Sequence, residues 1–201
     1  PAVNIKGMRV TDHSDFHWAS GESFSISFWF KSNINDRDST GVIVGRNEGA
    51  SGNHWWIGLD PDNQLSFLVR DPNYPPDNFY RAYLSGNRFY NDVDWHHLVC
   101  VRDASTNRIK IYFDGSTVAD PQSQKDYPGD REFFGSTTSA PLSIGYLQPV
   151  GQEGFFPMDG TLDELIIFDK ALSDTEVDSL YNRGSSGREA CPPGNHGPVF
   201  I

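Results

Sequence analysis

Two acidic residues, Asp163 and Glu164, stand side by side in the stretch "MDGTLDELIIFDKALSDTEVDSLYNRG" (158–184), just ahead of its most apolar part. A carboxylate pair can serve as the acid and nucleophile of a glycosidase if both groups face one bond, about 5–9.5 Å apart. Neighbours on a strand point to opposite faces, which predicts that Asp163 and Glu164 cannot act together. Asp163 and Asp169 share parity but would lie ~20 Å apart at ~3.3 Å per residue. His96 and His97 sit in an apolar strand without an evident nucleophile and read as structural histidines. No Gly-x-Ser-x-Gly, His-Glu-x-x-His or Walker spacing occurs. The chain therefore reads as a non-enzyme.

Recognition chemistry is better represented. Sugar rings present C–H faces that stack on aromatic rings, while amides, carboxylates and guanidinium groups bond the hydroxyls. Trp55, Trp56, Tyr74, Phe79, Tyr80, Tyr83 and Tyr90 form the richest aromatic pool, and Arg46, Asn53, His54, Asp71, Asn78 and Arg81 are interleaved with them. Of these, Arg46, His54, Trp55, Trp56, Asp71, Tyr74, Asn78, Tyr80, Arg81 and Tyr83 are assigned to carbohydrate binding. Adjacent Trp55 and Trp56 must face opposite sides, so one of them belongs to the core. The other, or Tyr74 and Tyr80 in a loop, would be the stacking platform.

The elements that must carry these residues are mostly strands. In "FSISFWFKS" (24–32) Phe24, Ile26, Phe28 and Phe30 fall on one face, the period-two pattern of a half-buried strand. Runs 41–45, 54–60 and 64–71 follow, the last two joined by Pro61, Asp62 and Asn63, with Pro to set φ and Asn to tolerate the left-handed region. "DWHHLVCVRD" (94–103) and "RIKIYFDG" (108–115) form a hairpin around "ASTN". Segments 140–146 and 160–169 complete the strands. One helix of ~8–10 residues is expected, with Ser173 as N-cap, Glu176 closing a capping box and Gly184 as the residue after its end. Val177, Leu180 and Tyr181 give it one apolar face. Residues 72–92, with six aromatics, and 119–139 read as irregular loops, a length usually reserved for function.

Bulk composition narrows the partners. With 16 basic against 27 acidic residues the net charge is −11, which excludes nucleic acid as a partner because phosphate neutralisation needs clustered Lys and Arg. No apolar run reaches the ~18 residues of a membrane-spanning helix, so direct membrane insertion is not expected. The two cysteines, Cys100 and Cys191, either pair or stay free; a pair would tie the tail to the body and suit an oxidising compartment. The start "PAVNIKGM" lacks Met and reads as a piece of a longer precursor.

In order along the chain, "FSISFWFKS", "IVGR" with "WWIGLD", "DWHHLVCVRDASTNRIKIYFDG", "LSIGY" and "GTLDELIIFDKALSDTEVDSLYN" resemble the laminin-G-like branch of the concanavalin A-like lectin/glucanase superfamily. The resemblance covers roughly residues 5–184. It implies an all-β jelly-roll sandwich of two curved antiparallel sheets with one short C-terminal helix. It also implies a lectin-like domain over residues 1–184, while the Ser/Gly/Pro-rich segment 185–201, ending in the apolar run of "GNHGPVFI", reads as a linker or tail leading to the first strand of a further domain. Domains of this kind are commonly non-catalytic modules of secreted or cell-surface proteins, and many hold one structural calcium. Calcium takes 6–8 oxygens, and Asp163, with Asp12 or Asp15 from "TDHSDF", is the set the resemblance suggests. The expected function is thus binding of a glycan or polysaccharide by an extracellular multidomain protein. The rival is a protein-interaction or spacer domain of a large surface adhesin. Glycoside hydrolases and polysaccharide lyases share the superfold, but those of the superfamily need a run such as Glu-x-Asp-x-x-Glu, which is absent.

Overall fold

The structure is a computed structural model that describes residues 7–32, 40–49, 54–71, 79–85, 94–117, 121–129, 139–148, 155–186 and the backbone of 199–200. Its strands are β1 (Met8–Val10), β2 (Phe24–Ser32), β3 (Gly41–Asn47), β4 (His54–Leu59), β5 (Leu65–Arg70), β6 (Phe79–Leu84), β7 (His96–Asp103), β8 (Arg108–Phe113), β9 (Ser116–Thr117), β10 (Gln124–Asp126), β11 (Leu142–Ile144), β12 (Gly160–Phe168) and β13 (Val199–Phe200), with one helix, α1 (Asp174–Ser185). They form two antiparallel sheets. Sheet A runs β1-β11-β3-β4-β5-β6, and sheet B runs β10-β8-β7-β2-β12-β13 with β9 beside β8. The architecture is the expected jelly-roll sandwich.

The alternation of 24–32 explains how the layers meet. Phe24, Ile26, Phe28 and Phe30 of sheet B face inward, at most 3% exposed, and join Trp55, Ile57, Leu59, Leu65, Phe67 and Val69 of sheet A in one core. Each such side chain contributes about 1.5–3 kcal/mol by leaving water. A buried guanidinium ties the segment before β2 to sheet B. Arg102 donates to the carbonyls of Ala19, Ser20 and Glu22 and to the Tyr127 hydroxyl, fixing the turn that enters β2. Cys100 is a fully buried free thiol, and burial pushes its pKa well up; Cys191, the other cysteine, lies outside the described residues.

The expected turns hold in detail. Asn63 has φ 58°, the left-handed conformation anticipated for it, and Asn107, in the anticipated hairpin loop, has φ 53°. The loop region 72–92 needs correction, because Phe79–Leu84 within it is a strand. In β6 Tyr80, Ala82 and Leu84 face inward while Phe79, Arg81 and Tyr83 face outward, an alternation hidden by the aromatic composition. The polar region 119–139 likewise contains the exposed edge strand β10.

The helix starts as expected. The Ser173 hydroxyl accepts from the Glu176 N–H and the Glu176 carboxylate accepts from the Ser173 N–H. It runs on past Gly184, so Gly184 is not its terminator. A side chain there would sit 2.4 Å from Trp29 Nε1; the glycine lets the helix press against the ring. Val177, Leu180 and Leu172 pack on Val99, Val101 and Tyr112, and Tyr181 stacks on Trp29 at 5.7 Å, so α1 covers the outer face of sheet B. Val199–Phe200, in the tail expected to lead into a further domain, pair as β13 with Ile166–Ile167 at the edge of β12.

Candidate functional site

No comparable element covers the outer face of sheet A over β4, β5 and β6 among the described residues. Strand register places three rows of side chains there. Paired residues of an antiparallel ladder share a face, and Trp55, Val69 and Tyr80 point inward, so their neighbours point out. The first row is Asn47, His54, Arg70 and Phe79; the second is Gly45, Trp56, Leu68 and Arg81; the third is Gly58, Ser66 and Tyr83. Phe79 is 53% exposed, and Trp56, Arg70, Arg81 and Tyr83 are half-buried. The β3 side of this face is closed by the segment around Leu147, whose Cδ1 would lie 2.7 Å from a Cβ at Gly45; only glycine admits it.

Cations and rings are interleaved on this face. The Arg81 guanidinium lies 4.2 Å from the Tyr83 ring centroid, and that of Arg70 5.3 Å from the Phe79 centroid, the geometry of cation–π contacts. Arg81 also donates to Asp60 at 2.5 Å and to Gln64 at 2.9 Å, which locks it to the β4–β5 turn. At the opposite end, His54 lies 5.8 Å from Phe79, centroid to centroid. Burial first, then the nearby Arg70 charge, depresses the His54 pKa to about 4, so its imidazole is neutral at physiological pH. Its buried Nδ1 has no hydrogen-bond partner among the described residues.

The expected binding residues divide by face. His54, Trp56, Arg81 and Tyr83 come together on the outer face of sheet A. Trp55 and Tyr80 are core residues, 1% and 8% exposed, as the opposite parity of Trp55 and Trp56 requires. Arg46 and Asp71 are also buried, at 2% and 0%, and are not presented on this face. Tyr74, Asn78, Tyr90 and Asn53 lie outside the described residues. Arg70 was not anticipated, although the alternation of "QLSFLVRD" places it beside Ser66 and Leu68.

Arg46 instead anchors the N-terminal segment. It donates to Glu48, to Asp12 Oδ1 at 3.0 Å and to the Ala140 carbonyl at 3.2 Å, and His17 meets the same Asp12 oxygen at 2.8 Å. Burial acts to raise the Asp12 pKa, but the bonds from His17 and Arg46 prevail and hold it below the ordinary value. A carboxylate already neutralised by a guanidinium is a poor cation ligand. Asp15 pairs with His13 at the surface, and Asp163 lies in the other sheet. The three expected calcium ligands are not brought together, and no group of three His, Cys, Asp or Glu able to hold a metal occurs among the described residues.

The acidic pair of 163–164 is a bulge. Asp163 opposes Trp29 and Ile166 opposes Ser27, leaving one extra residue, and Glu164 takes φ 49°. Simple parity therefore fails here: Leu162 faces inward before the bulge, and Leu165 and Ile167 after it. Asp163 Oδ1 accepts the Glu164 N–H at 2.8 Å and so serves the bulge itself. On the same sheet His97 Nε2 meets Ser27 Oγ at 2.9 Å, but beneath Trp29 and Tyr181, with His97 only 2% exposed. A serine–histidine–aspartate relay needs its carboxylate on the second imidazole nitrogen. Asp114 instead binds His96 Nδ1 and the His97 backbone N–H.

Several solved structures share this fold. The binding domain of Paraclostridial Mosquitocidal Protein 1 superposes with TM-score 0.64 at 18% identity, over 87% of this chain and 40% of that one, so this chain spans less than half of that protein. The CBM40 of the Ruminococcus gnavus IT-sialidase, bound to α2,6 sialyllactose, gives 0.62 at 12% identity, over 87% and 95%. The heptameric SAP-like pentraxin of Limulus polyphemus gives 0.59 at 16%, over 90% and 79%. No curated protein sequence matches the chain. The family model described as the Concanavalin A-like lectin/glucanases superfamily, of laminin G type, matches residues 6–178, and the chain belongs to that superfamily.

Proposed function

We propose that this chain is a non-catalytic, lectin-like carbohydrate-binding module of a secreted or cell-surface multidomain protein, and that its ligand lies on the outer face of sheet A. The observation that carries this reading is the open face itself, where Trp56, Phe79 and Tyr83 alternate with His54, Arg70 and Arg81 on three paired strands. Rings supply stacking surfaces for pyranose C–H faces, and the guanidinium and imidazole groups supply hydrogen bonds to hydroxyls. The similarly folded CBM40, solved with sialyllactose, supports a glycan as the ligand class. The face holds no assembled acid–nucleophile pair among its described side chains, and Asp60, its one carboxylate there, is held by Arg81 and Ser66. Glycan-array binding tests the proposal: retention on at least one glycan class, lost in Trp56→Ala and Phe79→Ala, supports it. No retention on any glycan, with or without calcium, rejects it.

A structural calcium remains part of the proposal, with ligands other than the trio Asp12, Asp15 and Asp163. Thermal unfolding with calcium and with EDTA decides it.

A further inference from the structure

Resting on the glycan-binding reading, we infer that Phe156 is a further ligand-contacting ring, carried by the wall on the β3 side of the outer face of sheet A. The glycan is then an oligosaccharide that reaches from the β6 rings to that wall, not a single terminal sugar. Backbone conformation is the first ground. Phe156 has φ 55°, in the left-handed region where a bulky side chain is an outlier and glycine is not. Its surroundings hold it there. Leu147 and Phe155 exchange backbone hydrogen bonds at 2.9 and 2.8 Å, the Phe156 carbonyl accepts the Val42 N–H at 2.9 Å, and the Met158 N–H donates to the Gly145 carbonyl at 2.8 Å. Strain of this kind persists only where neighbouring structure imposes it, and it gathers at ligand contacts.

The second ground is independent of the backbone. Leu147 is buried and Phe155 half-buried, yet Phe156, the next residue, is 39% exposed. Its ring meets Phe155 edge-on at 4.5 Å, a contact that orients the ring and leaves it open to solvent. A large ring at a position that favours glycine, and outside the core, stabilises the fold little; a ligand gives it a use. Placement is the third ground. Leu147 lies over Gly45, in the row of Trp56, Leu68 and Arg81. Val42, which bonds Phe156, pairs with Gly58 in the row that ends at Tyr83, so Phe156 and Tyr83 stand at opposite ends of one row. Gly58 and Ser66 between them are buried, so a ligand on this row rests on its two ends. At about 4.8 Å per strand β3 and β6 lie ~14 Å apart, more than one sugar ring spans.

The test is a glycan array that carries β-glucan, xylan, mannan, lactosamine and hyaluronan series, each from disaccharide to hexasaccharide. In at least one series affinity should rise about tenfold with length, the gain from one added ring contact. Phe156→Gly should erase that gain and leave disaccharide binding unchanged, while Phe156→Tyr, which keeps the ring, should retain it. Because glycine relieves the strained φ, the thermal midpoint of Phe156→Gly should not fall. A ring that served only packing would give the reverse: a lower midpoint with the length dependence intact. Affinity that does not grow with length, or growth that survives Phe156→Gly, overturns the inference and leaves glycan binding standing. So does a loss of binding that comes with a lower midpoint, which makes Phe156 a packing residue. An array empty for the wild-type chain removes the glycan-binding reading, and this inference with it.

Discussion

The two outer faces of the sandwich carry similar residue types and opposite environments. Each has a tryptophan, a tyrosine and a histidine within one patch: Trp29, Tyr181 and His97 over sheet B, Trp56, Tyr83 and His54 over sheet A. Over sheet B the helix supplies the tyrosine and seals the patch, so stacking becomes internal cohesion. Over sheet A no described element closes over the β4–β6 strip, and its rings and arginines are half-buried or exposed among the described residues. Aromatic content alone thus does not mark a binding surface; what decides is whether another element of the chain closes over it.

The largest effect should come from prying the sealed face open. Val177→Asp places an unpaired charge between α1 and sheet B and should cost at least about 3 kcal/mol, read as a lower urea midpoint. The matching disruption on the open face, Leu68→Asp, should cost much less. Equal losses would erase the distinction between the faces.

Protonation gives the next effect. His97 and His54 both have folded pKa values of about 4, below the ordinary 6.5, chiefly through burial. Between pH 6.5 and about 4 the unfolded chain binds protons that the folded chain refuses, so stability is complete above that window and falls as pH drops through it. The loss should reach about 3 kcal/mol per histidine at most. His97→Gln and His54→Gln should each flatten the pH dependence of urea unfolding; if both variants leave its slope unchanged, the imidazoles are not the cause.

A smaller change tests the helix contact. Gly184→Ala forces Trp29 or α1 to shift and should cost about 1–3 kcal/mol. No change in thermal midpoint would mean that the packing of α1 on Trp29 is looser than described. The least stability change belongs to Phe79→Ala and Trp56→Ala. Each should move unfolding by under about 1 kcal/mol while weakening glycan binding roughly tenfold.

These contrasts also explain what was legible in the sequence. The alternation of 24–32, the capping box at Ser173 and the left-handed Asn63 are local properties, and local rules found them. Strand β6 was obscured because exposed and buried positions are both aromatic or large, so Phe79-Tyr80-Arg81 shows no hydrophobic contrast. The bulge at Glu164 was invisible because parity assumes an unbroken ladder. Gly184 read as a helix end because its role depends on Trp29, more than 150 residues away in sequence. The binding assignment was half legible for the same reason. Composition gathered the right strands, but only register separates Trp56, Arg81 and Tyr83 from the inward Trp55, Tyr80 and Arg46. Arg70 could have been found by applying to "QLSFLVRD" the parity already used for the tryptophans.

The most direct test of the open-face account is a two-dimensional nuclear magnetic resonance titration of the isotope-labelled chain with a glycan that it retains. Shifts should concentrate on His54, Trp56, Arg70, Phe79, Arg81 and Tyr83, with Trp29, His97 and Tyr181 unmoved. Shifts centred on α1 and sheet B, with the β4–β6 face silent, would contradict it.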